Sequence, residues 1–171
     1  MSTIYFTDNF FSAGKTEIYN DQKEQIGTLD LKGAFSSDVM ILNNNEEVLL
    51  SGGFRFFSRK WFIQDQQEQE IGELAQRFAF FSKKYEYEAY DRGLYRIESE
   101  SFSRDYEIYD EQESLVGEFH RTDGFFESPA FCLTNHTEVL TDDELIAVVM
   151  GVNMIEKRNS SNAANGAGGA T

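Results

Sequence analysis

The sequence predicts a mainly β fold: a closed, twelve-stranded antiparallel barrel of six hairpins around one central hydrophobic C-terminal α-helix. Three observations carry that expectation. A strand–turn–strand pattern recurs along the chain, aromatic residues followed by serine mark the joins between successive units, and one wholly apolar segment follows a helix-starting signal near the C-terminus.

The recurring unit begins with alternating apolar residues at Thr16-Ile18, Val39-Ile41, Trp61-Ile63, Tyr85-Tyr87, Tyr106-Ile108 and Phe131-Leu133, stepping by 23, 22, 24, 21 and 25 residues. Each is followed by a turn rich in Asn, Asp and Gly, residues that tolerate turn dihedrals. The turns fall at Asn20 to Gln25, Asn43 to Glu47, Asp65 to Glu70, Asp91 to Gly93, Asp110 to Ser114 and Asn135 to Glu138. A second strand then starts at Ile26, Val48, Ile71, Leu94, Val116 and Val139. Tyr85, Tyr87 and Ala89 alternate with Lys84, Glu86 and Glu88, the period of a strand with one face inward and one in water. Gly27, Gly72 and Gly117 follow three of the second-strand starters, where a side chain would crowd a neighbour or a bulge must bend the strand. A bulge is expected in the second unit, where Val48-Leu49-Leu50 does not alternate. Between hairpins stand Phe10-Phe11-Ser12, Phe56-Phe57-Ser58 and Phe80-Phe81-Ser82, with thinner versions at Phe35-Ser36, Phe102-Ser103 and Phe125-Phe126. The single proline, Pro129, opens a strand, where its missing N–H costs least.

Thr141-Asp142-Asp143-Glu144 reads as a capping box, with three acids facing the positive end of the helix dipole. Leu145, Ile146, Ala147, Val148, Val149, Met150, Val152, Met154 and Ile155 then leave no polar stripe, so the helix must be buried on every side. Its β-branched residues would also suit a thirteenth strand; the cap favours the helix. A twelve-stranded barrel has a lumen too wide for its own side chains, and a helix roughly 10 Å across fills it. Leu145, Ile146, Val148, Val149, Val152 and Ile155 are thus predicted as the core helix, Lys157 and Arg158 close it, and the chain divides into a barrel domain over 1–158 and a flexible tail over 159–171.

Composition limits the function. Of 171 residues, 15 are Lys or Arg and 30 Asp or Glu, a net charge of −15, which sets the molecule as a whole against nucleic acid and anionic membranes as partners. Cys132 is alone, so no intramolecular disulfide can form and a reducing, cytoplasmic setting fits. The first thirty residues lack a signal-peptide pattern, and the longest apolar run, Leu145 to Val152, is far short of the roughly 20 residues of a transmembrane span.

Phe80-Phe81-Ser82-Lys83-Lys84-Tyr85-Glu86-Tyr87, Asp105-Tyr106-Glu107-Ile108-Tyr109-Asp110 and Glu144-Leu145-Ile146-Ala147-Val148-Val149, within the repeat from Phe10 to about Arg158, resemble the tubby C-terminal-like fold. The nearest resemblance is to the LURP-one-related proteins and their small bacterial relatives. It implies twelve strands around a central helix. Tubby proteins hold phosphoinositides through basic residues, and phospholipid scramblases share the fold, whereas most of the LURP-one-related branch has no known biochemical role. The chain lacks the scramblases' terminal membrane helix and cysteine cluster, and neither a calcium loop nor the tubby basic site can be carried across. Fold alone does not transfer function.

Candidate sites are few. Arg59, Lys60, Lys83, Lys84 and Arg104 each follow a Phe-Ser join, so the topology gathers them at one barrel end, while Asp21, Glu24, Glu46, Glu47, Asp65 and Asp110 among other acids collect at the other. Cations beside Phe-rich joins suit an anionic phospholipid headgroup, each contact being worth about 1 kcal/mol, although such charges also simply solubilise strand ends. His120, His136 and Cys132 fall short of the four ligands zinc normally takes. No Gly-x-Ser-x-Gly elbow or P-loop is present, so neither a catalytic residue, a metal nor a cofactor is expected. The sequence therefore points to a non-enzymatic binding or scaffold module. An unknown protein or an anionic lipid headgroup is its expected partner, with hydrolytic or metal-dependent chemistry as a third reading.

Overall fold

The computed structural model describes residues 1–32, 38–77, 83–99 and 104–166. Phe35-Ser36, Phe80-Phe81-Ser82, Phe102-Ser103 and tail residues 167–171 lie outside them, as does the side chain of Lys83.

Twelve strands form the wall: β1 Ser2–Thr7, β2 Gly14–Tyr19, β3 Gln25–Leu31, β4 Val39–Asn43, β5 Val48–Phe54, β6 Trp61–Gln64, β7 Glu70–Arg77, β8 Lys83–Ala89, β9 Gly93–Ser99, β10 Tyr106–Tyr109, β11 Leu115–Thr122 and β12 Ala130–Asn135. Each pairs antiparallel with its neighbours in sequence, and β1 pairs β12 from Ser2 opposite Asn135 to Thr7 opposite Ala130, closing the barrel. Closure leaves no free sheet edge.

The twelfth strand is not the one expected at Val139. That residue is 50% exposed in the bend before the helix, and Ser2–Thr7 supplies the missing strand from the other end of the chain. A repeat of local strand–turn–strand units does not reveal β1, because its partner lies some 130 residues away and no turn joins them. Thr137 to Thr141 is too short to hold both a strand and the approach to the helix.

Four hairpin turns share one construction. The side-chain Oδ1 of Asn20, Asn43, Asp65 and Asp110 accepts from the backbone N–H groups two and four residues on, at 2.8–3.0 Å. The residue three on, Lys23, Glu46, Glu68 or Glu113, has φ of 60–63°. The register then skips one residue, leaving Ile26, Leu49, Ile71 and Val116 bulged. The bulge expected in the second unit, and offered as one reading of Gly27, Gly72 and Gly117, is thus a repeated device that increases local twist, as closing a barrel requires. Gly27, Gly72 and Gly117 come just after three of these bulges. A Cβ on Gly27 would stand 2.6 Å from the Leu42 carbonyl oxygen and one on Gly72 would strike the Tyr87 ring, while Gly117 meets Ile108 and Leu145 at ordinary contact distances.

The lumen is filled by α1, Asp142–Gly166. Leu145, Ile146, Val148, Val149, Val152 and Ile155 are all buried, as an apolar helix inside a closed wall must be. Gly151 and Gly52 flank Trp61, the largest buried side chain, so α1 approaches the β5–β6 wall closely there. The helix does not stop at Arg158. It runs on to Gly166, with Ser160 and Ser161 hydroxyls donating to the carbonyls of Glu156 and Lys157 and Asn159 donating to Gln76. Once a helix is nucleated, extending it through Ala- and Asn-containing sequence without proline is inexpensive. The polar composition that reads as a tail is therefore helical over 159–166.

Candidate functional site

The two barrel ends differ in what they expose. At the end holding the within-hairpin turns, Thr141 caps α1 through its Oγ1, which accepts from Glu144 N–H at 3.2 Å. The expected reciprocal contact of Glu144 is not made. Its side chain is 1% exposed and turns inward, where Arg92 from the β8–β9 turn donates to both carboxylate oxygens at 2.6 and 2.8 Å and the Tyr87 hydroxyl donates to one. Burial, then the Glu144 charge, pushes the Tyr87 phenol well above its ordinary range. The hydrogen bond to Glu144 holds Arg92 firmly protonated. Asp142 accepts from Ser2 Oγ at 2.7 Å and Asn135 Nδ2 at 2.9 Å, tying β1 and β12 to the helix start. These contacts seat α1 and are structural.

The opposite end holds the Phe-Ser joins and the helix exit. Phe10 and Phe11 turn inward and cork the barrel against Phe6, Phe119 and Phe131, with ring centroids 4.6–6.2 Å apart. Phe125 and Phe126 fold back outside, stacking on Tyr5 at 3.5 Å and meeting Tyr19 edge-on at 5.1 Å. Among the described residues, only the β5–β6 join leaves its aromatic pair in water, with Phe56 88% and Phe57 90% exposed.

The basic residues predicted here are engaged differently from one another. Lys60 is paired with Glu73 and Lys84 with Glu98, the latter at 2.9 Å, while Arg104 lies over the Phe11 ring at 5.2 Å. Lys83 stands at the start of β8. Arg59 has no partner among the described residues. It lines a cavity of about 210 Å³ with Phe54, Ile155, Arg158, Asn159 and Asn162. Four of those six lining residues belong to the last turns of the helix, three of them in a stretch that composition reads as a solvated close or tail. Arg158 lies over Phe54 at 4.6 Å and donates to the Ser58 carbonyl at 2.8 Å. Its neighbour Lys157 leaves on another side, donating to the Phe11 carbonyl at 3.0 Å, its ammonium lowered by burial and then by Arg104. Two guanidinium groups, two carboxamides and an apolar floor can hold a small anionic oxyacid. A helical reading carried past Arg158 would have put Asn159 and Asn162 one turn from Arg158 and Ile155.

Cys132 and His120 sit opposite each other on the outer face of β11 and β12, with Sγ 3.1 Å from Nε2. Burial, and second the Glu118 charge, pushes the thiol up to about 11, keeping it a thiol at neutral pH. Among the described residues His120 has no carboxylate to orient it, as a nucleophilic pair requires. His136 instead meets Glu118 at 2.7 Å. No group of three or more His, Cys, Asp or Glu is placed to hold a metal ion, and no helix is long and apolar enough to cross a membrane, both among the described residues.

The profile of the LURP-one-related family matches residues 3–150, from the closing strand β1 into the middle of α1. No curated protein matches the chain. Among solved structures, a crystal structure of an Arabidopsis thaliana protein superposes with a TM-score of 0.57 at 9% identity, covering 92% of this chain and 91% of that one, a likeness of fold. With the match spanning nearly the whole barrel, the chain belongs to the LURP-one-related family.

Proposed function

We propose that this chain is a non-enzymatic, cytoplasmic binding module that takes the phosphate of an anionic phospholipid headgroup in the cavity at its join end. The observation that carries this reading is Arg59, unpaired among the described residues and set beside Arg158 in that cavity. Planar guanidinium groups bind phosphate through paired, charge-assisted hydrogen bonds, and the amides of Asn159 and Asn162 add donors. At about 210 Å³ the space is below the roughly 300–1,000 Å³ of drug-sized ligand sites, which suits a headgroup rather than a nucleotide cofactor. Among the described residues no carboxylate lines the cavity, so an anion entering it meets the two guanidinium groups without local repulsion.

Titration with glycerol 3-phosphate and with inorganic phosphate, followed by NMR, tests the reading. Shifts confined to residues 54–59 and 155–162, and lost in Arg59→Glu, support it. An absence of shifts at millimolar ligand, or shifts that survive Arg59→Glu, overturns it.

A further inference from the structure

We infer that Phe56 and Phe57 form a finger that inserts into the surface of an anionic lipid bilayer. The inference shares its barrel end with the cavity but rests on a different observation. Among the described residues these are the only phenylalanines left in water, adjacent at the tip of a turn with ring centroids 4.2 Å apart. Isolated exposed apolar residues need no explanation, whereas two neighbouring Phe side chains exposed almost completely do.

The turn is built to present them. Ser58 N–H donates to the Arg55 carbonyl at 3.0 Å, closing a turn with Phe56 and Phe57 at its two central positions. Lys60 N–H donates to Ser58 Oγ at 3.0 Å, and Arg158 from the helix holds the Ser58 carbonyl. The tip is therefore braced from behind by the central helix. Phe57 itself has φ of 63°, a left-handed conformation that Gly or Asn adopts readily and a bulky residue occupies at an energetic cost. Burial does not offset that cost, since the ring is 90% exposed and its one ring contact among the described residues is the tilted one with its neighbour Phe56.

The surroundings choose the occupant. Two Phe side chains offer about 150–250 Å² each, well below the roughly 1,200 Å² that a specific protein–protein interface buries. A bilayer demands no complementary surface, only an apolar tip and favourable charge near the headgroups. Arg55, Arg59 and Lys60 stand within four residues of the tip, with Arg158 behind it. Arg55 is paired with Glu70 and Lys60 with Glu73, so the positive charge offered to headgroups is that of Arg59 and Arg158, neither of which has a carboxylate partner among the described residues. Amphipathic recognition of this kind combines apolar burial with attraction to anionic lipid.

Sedimentation of the full chain with sucrose-loaded vesicles of phosphatidylcholine, with and without phosphatidylserine, tests the finger. The protein should pellet with the anionic vesicles. The double variant Phe56→Ser/Phe57→Asn, chosen because Asn tolerates the left-handed conformation, should bind at least about tenfold more weakly while melting at the wild-type temperature. In Phe57→Trp the new emission should shift to the blue on vesicle binding and be quenched by brominated lipid, against a constant background from buried Trp61. A wild type that never pellets, a double variant that pellets as well as wild type, or an introduced indole whose emission stays that of water overturns the finger. Loss of pelleting that coincides with dissolution of a dimer, read by size exclusion, also overturns it in favour of self-association. Phosphate titration separates this inference from the cavity reading: glycerol 3-phosphate shifts in a wild type that never pellets leave the cavity standing alone, and vesicle binding without those shifts leaves the finger standing alone.

Discussion

Arg92 reaches from the β8–β9 turn across the barrel mouth and donates to both carboxylate oxygens of Glu144, in the first turn of the central helix, at 2.6 and 2.8 Å. With Tyr87 donating to the same carboxylate, the wall holds the helix by a charge that is 1% exposed. Removing one member of such a pair strands the other without solvent, whereas replacing both by apolar residues need not destabilise. Arg92→Leu is therefore expected to cost about 3–5 kcal/mol in urea denaturation, and Arg92→Leu/Glu144→Leu distinctly less. Equal losses in the two variants would show that the pair is not what secures the helix.

Asp143 gives a pH-dependent signal from the same turn. Burial, and second the neighbouring Asp142 charge, raises its carboxyl from 3.8 to about 6 in the folded protein. The folded state then holds this proton more tightly than the unfolded chain. Its contribution to stability is fully present below the unfolded value near 3.8 and is lost as pH rises through about 6. Asp143→Asn should stabilise the protein at pH 7 by about 1–2 kcal/mol and flatten the part of the stability–pH curve between about 4 and 6. Thermal melts of both proteins across that range check it, and parallel curves would assign the titration elsewhere.

Val148 tests the interior position of the helix. It is fully buried, in the apolar stretch of the rod. Val148→Asp places a charge without a partner there, at a cost of several kcal/mol against the roughly 5–15 kcal/mol that holds a typical domain together. Loss of the near-ultraviolet circular dichroism signal at room temperature is the expected result; a variant melting like wild type would contradict a helix enclosed by the barrel.

The close approach of helix and wall is probed at Gly151, where a Cβ would meet Trp61 and Leu74 inside van der Waals contact. Gly151→Ala would normally favour a helix. Here overpacking should prevail and destabilise by about 1–3 kcal/mol, with a change in Trp61 fluorescence. A stabilised variant would show that the wall can yield.

Hairpin spacing, turn chemistry and the uninterrupted apolar run from Leu145 to Val152 were sufficient, as sequence, to specify eleven of the twelve wall strands and the helix they enclose. Each is a local property: a period of two, an Asx residue bonding its own turn, a helix with no polar face. Tertiary structure alone decided which strand closes the barrel, because Ser2–Thr7 meets Ala130–Asn135 without any local turn to announce it. It also decided that Glu144 pairs with Arg92 rather than completing a cap, and that Arg59 shares a cavity with Arg158 while Lys60 and Lys84 are spent on neighbouring glutamates. The Phe-Ser joins show the same division most clearly. One pattern in the chain became a buried cork at Phe10-Phe11 and an exposed tip at Phe56-Phe57, because burial depends on what the closed wall brings opposite each ring, and that follows from contacts between residues far apart in sequence.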